Sequence, residues 1–189
     1  MRSAGPESAG YRWPKWAVFG LLVLNAGIYL DSGTLTEGID SIAWLALLLL
    51  FQLETGSRQM FHTGAAVAAV HGVRLAGLAA VAATAAGFLY NNEWLDAANS
   101  GLWIAVVVLL EVEVRRPVMV AAHRALFAAT AAMLYAGLGA LVVVWAWRGD
   151  WFGAYDAALW LVAFVTIEMN VLAAAQRSAA GRVPARLIA

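Results

Sequence analysis

Six long stretches of the chain are almost continuously apolar, and short polar segments rich in turn-forming residues separate them. They cover residues 16–30 (extendable back to Tyr11), 38–55, 70–90, 97–114, 119–147 and 156–175. A transmembrane helix needs about 20 mostly apolar residues, within a range of roughly 17–25. Each stretch therefore reads as a membrane span, and the fold as all-α, a polytopic membrane protein of six transmembrane helices. The separators Asp31-Ser32-Gly33, Thr55-Gly56-Ser57, Asn91-Asn92-Glu93, Arg115-Arg116-Pro117 and Arg148-Gly149-Asp150 have the chemistry that ends helices. The fifth stretch is long enough to tilt or to begin as an interfacial segment.

The polar residues inside the even-numbered spans recur in register. Span two carries Asp40, then Trp44, then Gln52 and Glu54. Span four carries Asn99, Trp103, Glu111 and Glu113, and span six Asp156, Trp160, Glu168 and Asn170. The odd spans end in Tyr29, Tyr90 and Trp147, each followed by a polar turn. The pattern is a helical hairpin of about 58 residues used three times in one orientation. The approximate copies are residues 11–58, 70–116 and 119–177 of a single transmembrane domain, 1–189. Parallel membrane repeats are usually related by an axis along the membrane normal, so the expected architecture is a pseudo-threefold bundle of three hairpins. Span three, built largely from Ala, Gly and Val, is expected to be its central packed helix, because small residues let membrane helices approach closely.

Composition agrees with a membrane protein. Of the 189 residues 63% are AVILMFWYC and only 13% charged, with a mean hydropathy of +0.75; soluble domains carry about 25% charged residues. No cysteine is present, which excludes a disulfide scaffold, and a net charge of zero excludes a basic nucleic-acid-binding face.

Charge adds an orientation. Arg2, Arg12, Lys15, Arg58, Arg74, Arg115, Arg116, Arg124, Arg177, Arg182 and Arg186 fall on one side of the six spans, and only Arg148 on the other. The positive-inside rule then places both termini in the cytoplasm, with a bacterial inner (cytoplasmic) membrane as the expected location. Asp31, Glu37, Asp40, Glu93, Asp96, Asp150 and Asp156 fall on the outer side. No small-residue cleavage site follows Leu30, so span one is expected to remain in the mature protein.

Glu54, Glu111, Glu113 and Glu168, with Gln52 and Asn170, form a second acidic group. At about 1.5 Å of rise per residue, Glu111 lies roughly 25 Å beyond Trp94. In a hydrocarbon core about 30 Å thick, that places the layer near the cytoplasmic face. Ionisable groups in membrane spans default to a functional role, here an ion or proton site. The alternative is a girdle of ion pairs with Arg58, Arg74, Arg115, Arg116 and Arg124. Residues two apart point to nearly opposite sides of a helix, so only one column of the layer can face the bundle axis. Trp44, Trp103 and Trp160 repeat in the outer half, as core packing or as a candidate gate.

Other chemistry is sparse. His71 and His123 could ligate haem b through both axial positions, although both lie at the cytoplasmic ends of their spans. Neither Glu-x-x-His nor His-Glu-x-x-His occurs, which removes two familiar metal-site patterns and leaves the identity of any metal unknown. Ser41 and Ser100 lie near the outer ends of spans while every His is at the other end. The expectation is therefore a non-enzymatic protein: a small transporter or channel, proton- or cation-coupled through the acidic layer. The alternative is a non-catalytic subunit or anchor of a larger membrane complex. Its expected partners are the lipid bilayer and a second copy or other membrane subunits, with no nucleic acid.

Overall fold

The structure, a computed structural model, describes residues 12–56 and 64–180. Arg2, Arg58, His62, Arg182 and Arg186 lie outside the described residues, as do the side chains of Gln52, Glu54, Glu168 and Asn170. Seven helices are present among the described residues: α1 (Arg12–Ser32), α2 (Leu35–Gly56), α3 (Gly64–Tyr90), α4 (Trp94–Arg115), α5 (Pro117–Ala122), α6 (Arg124–Trp147) and α7 (Trp151–Ala180). Six are long, and they coincide with the six apolar stretches. The fifth stretch is divided at His123, whose backbone leaves the helical region at φ −121° and ψ 33°. Pro117 opens α5 at a position where its missing N–H costs nothing.

Among the described residues three segments are long and apolar enough to cross a membrane, Gly64–Tyr90, Trp94–Glu113 and Arg124–Trp147; Trp16–Ser32 and Trp151–Thr166 are shorter apolar helical segments. The outward faces agree. Leu75, Leu126, Met133 and Val143 all expose most of their apolar surface, which in water would be an extensive sticky patch. Together these features point to an integral membrane protein.

The six long helices form a closed ring. Each packs on its chain neighbours in the order α1, α2, α3, α4, α6, α7, and α7 returns to α1. The core lies inside this ring, where Ala43, Trp44, Val81, Trp103, Val106 and Leu138 are buried together. Trp103 is at its centre, with its ring centroid 6.4 Å from Trp44 and 4.5 Å from Phe164, which in turn lies 6.2 Å from Trp160. These are ordinary tilted aromatic contacts. They join α2, α4 and α7 across the ring axis by side chains alone.

Helix α3 is therefore one wall of the ring and not its central helix. Its buried residues, Val70, Gly77, Val81, Thr84 and Phe88, follow one another at helical spacing along a single face. Small side chains all round remove any preference for complete burial, and one stripe suffices. The closest approach is at Gly77, where an added Cβ would lie 2.9 Å from the Leu47 side chain of α2.

The hairpin turns at residues 33–34, 91–93 and 148–150 gather at one end. Two have the same construction. At the end of α3, Glu93 N–H donates to Phe88 O and Asn92 N–H to Leu89 O; at the end of α6, Asp150 N–H donates to Trp145 O and Gly149 N–H to Ala146 O. These are Schellman turns with a left-handed residue at the pivot, Asn92 at φ 62° and Gly149 at φ 82°. The α1–α2 turn differs. Thr34 and Glu37 form a reciprocal capping box, with Thr34 N–H 2.6 Å from the Glu37 carboxylate and Glu37 N–H 3.3 Å from Thr34 Oγ1.

A candidate cation site at the hairpin end

Helices α2, α4 and α7 all begin at this end; Glu37 and Asp96 lie in the first turns of α2 and α4, Asp40 and Asp156 in the second turns of α2 and α7, and Asp150 directly precedes α7. Part of the reason is local. The N-terminus of a helix offers unpaired N–H groups and a partial positive charge. Glu37 is occupied by its capping box, and Asp150 caps α7 by accepting Gly153 N–H at 2.9 Å.

Asp40 and Asp156 sit deeper, in the second turn, and each is held by a buried polar residue of the neighbouring helix. Thr84 Oγ1 of α3 donates to Asp40 Oδ1 at 2.5 Å, and Asn25 Nδ2 of α1 donates to Asp156 Oδ1 at 2.7 Å. Thr84 is 4% exposed and Asn25 2%. The indoles of Trp44 and Trp160, one turn further along, are further polar neighbours of Asp40 and Asp156. Asp96 has no side-chain hydrogen-bond partner in another residue among those described.

These residues enclose a cavity of about 270 Å³ to which all six long helices contribute. Its wall contains five carboxylates, Glu37, Asp40, Asp96, Asp150 and Asp156, and no Lys, Arg or His. Trp44, Trp103 and Trp160 are among its aromatic residues and also join the core. Ser100, also in the wall, is 1% exposed, and its Oγ has no hydrogen-bond partner. Buried hydroxyls are normally satisfied. The chemistry on offer is the binding of a positive charge: carboxylates unmatched by protein cations, indole faces that attract cations, and one spare hydroxyl.

The two described glutamates of the inner acidic layer are arranged differently. Glu111 pairs with Arg115, one turn on, and both side chains are more than half exposed. Glu113 is half-buried and has a partner of its own. His71 and His123 are exposed, each with Nδ1 near the carbonyl one turn back, Val67 O at 2.8 Å and Met119 O at 3.1 Å. Their helices are not neighbours: among the described residues α3 packs on α2 and α4, and on neither α5 nor α6. A haem held by both imidazoles would need them on facing helices.

Sequence reasoning had found the Asp/Asn-to-Trp spacing, yet it assigned Asp40 and Asp156 to the outer connections. Asn25 and Thr84 were missed, and Ser100 was weighed only against the distant histidines. The available signal was a polar residue inside an apolar run, which by itself does not say which way the side chain points. Compared with known protein families, with curated proteins and with solved structures, the chain matches none.

Proposed function

We propose that the chain is a small cation transporter or channel of a bacterial cytoplasmic membrane. In this reading six transmembrane helices form three hairpins, both termini are cytoplasmic, and the hairpin-end cavity is the outward-facing cation site. The observation that carries it is the acidic wall: five carboxylates share one cavity with no basic residue among them. Like charges in a low-dielectric space repel strongly, and an incoming cation relieves that repulsion.

The threefold repeat is part of the proposal, and the cavity supports it. Shifting by one copy carries Tyr29 to Phe88 to Trp145, Glu37 to Asp96 to Gly153, Asp40 to Asn99 to Asp156, Ser41 to Ser100 to Ala157, and Trp44 to Trp103 to Trp160. All fifteen residues line the same cavity. The cross-helix bonds follow the same rule. Each joins the first helix of one hairpin to the second helix of the preceding one, Thr84 to Asp40 and Asn25 to Asp156. The third such pair is Leu141 with Asn99. Leu141 packs in an apolar cluster with Trp145 and Ala157, and there the acid is replaced by a neutral amide. Where the polar partner is missing, so is the charge.

The Glu111–Arg115 pair favours a structural part for the inner layer of Glu54, Glu111, Glu113, Glu168, Gln52 and Asn170. The test is flux. Purified protein in liposomes under an imposed cation or proton gradient is expected to pass charge above protein-free controls; no flux under any gradient contradicts the reading.

A further inference from the structure

The wall of the hairpin-end cavity is specific enough to name a class of ligand. Among the described residues no three His, Cys, Asp or Glu side chains converge closely enough to ligate one metal ion. The carboxylates are instead spread around a space of about 270 Å³, at the lower edge of small-molecule pockets, which run from roughly 300 to 1,000 Å³. A charge that satisfies several separated acceptors needs several donors pointing outward from one centre. An alkylammonium group has that form. A quaternary ammonium has none of these donors, and an extended cationic peptide exceeds the space.

Two further features of the wall fit the same ligand. Indole faces beside the acids favour an organic cation, through attraction to the charge and apolar contact with the carbon attached to it. Ser100 Oγ is buried and unpartnered within the wall, and an N–H from a bound ligand would satisfy it. Resting on the reading of this cavity as a cation site, we propose that it binds a small protonated alkylamine. Asp40, Asp156 and the Ser100 hydroxyl accept from the three ammonium N–H groups, Asp96 adds its charge in the same wall, and the alkyl group lies against Trp44, Trp103 and Trp160.

The experiment is a titration of the full chain in lipid nanodiscs, followed by tryptophan fluorescence, with ethylammonium, tetramethylammonium and sodium chlorides at constant ionic strength. Ethylammonium is expected to give a saturable change with a midpoint at least tenfold below those of the other two salts. Ser100→Ala is expected to raise that midpoint about tenfold, the effect of one hydrogen bond to a charged group. Asp40→Asn with Asp156→Asn is expected to abolish the response. The comparison of the three salts on the unaltered protein decides the matter even if a variant fails to fold. An equal response to sodium, or a stronger one to tetramethylammonium, overturns the proposal, and so does a Ser100→Ala midpoint equal to that of the unaltered protein. The same preparation in liposomes separates this inference from the one it rests on. Cation flux without amine binding removes the amine and leaves transport, whereas amine binding without flux leaves the amine and removes transport.

Discussion

Thr84 and Asn25 are the residues on which the hairpin end depends most directly. Each is almost fully buried and each donates to a carboxylate on the next helix. Removing one partner of a buried hydrogen bond costs about 1–3 kcal/mol, while replacing both partners with compatible groups can be nearly neutral. Asn25→Leu alone is therefore expected to lower the thermal stability of the detergent-solubilised protein by about that amount. Combined with Asp156→Asn, which reproduces the residue types of Leu141 and Asn99 at the corresponding places of the proposed repeat, it is expected to recover most of the loss. Losses that simply add would contradict the correspondence between the three pairs. At this scale the sequence was half legible. The spacing of Asp40, Asn99 and Asp156 to their tryptophans was plain, because it repeats along one helix. The donors were hidden, because a lone Thr or Asn in an apolar run has no periodicity and its partner is set only by ring packing.

At the level of elements, hydrophobic runs located all six long helices, and the main discrepancies were ends and one break. His123, between Ala122 and Arg124, interrupts the fifth run, a local backbone departure that composition does not encode. The turns were legible as turns but not by type. Asn92 and Gly149 occupy the same pivot in two Schellman turns, and Asn is the non-glycine residue that best tolerates the left-handed region. Gly149→Asn is thus expected to leave the melting temperature nearly unchanged, while Gly149→Val is expected to lower it, since β-branched residues are strongly disfavoured there. Equal effects from the two changes would argue against a left-handed pivot. The expectation that α3 lies at the centre failed for a related reason. A small-residue helix signals close packing somewhere along its length, and here that place is one stripe meeting Leu47.

For the whole molecule, the ring of helices puts the acidic residues at both ends of a largely apolar body, and the two ends differ in kind. At one end carboxylates enclose a space with no basic residue in its wall; at the other, the described Glu111 is paired with Arg115. Sequence depth arithmetic pointed to the second end because glutamates inside spans stand out, while aspartates near span ends resemble ordinary loop acids. Only closure of the ring turns those aspartates inward. The chain contains no cysteine, so single cysteines report topology cleanly. In intact cells, Asn91→Cys is expected to react with a membrane-impermeant maleimide, and Arg116→Cys only after the membrane is opened. The reverse pattern would place the cavity in the cytoplasm. Whether cations are handled at the hairpin end is decided by cation flux through two double variants reconstituted side by side. Asp40→Asn with Asp156→Asn is predicted to abolish the flux of the unaltered protein, and Glu111→Gln with Glu168→Gln to retain most of it, both variants eluting as folded protein. Full flux through the aspartate variant, with loss in the glutamate variant, would contradict the account.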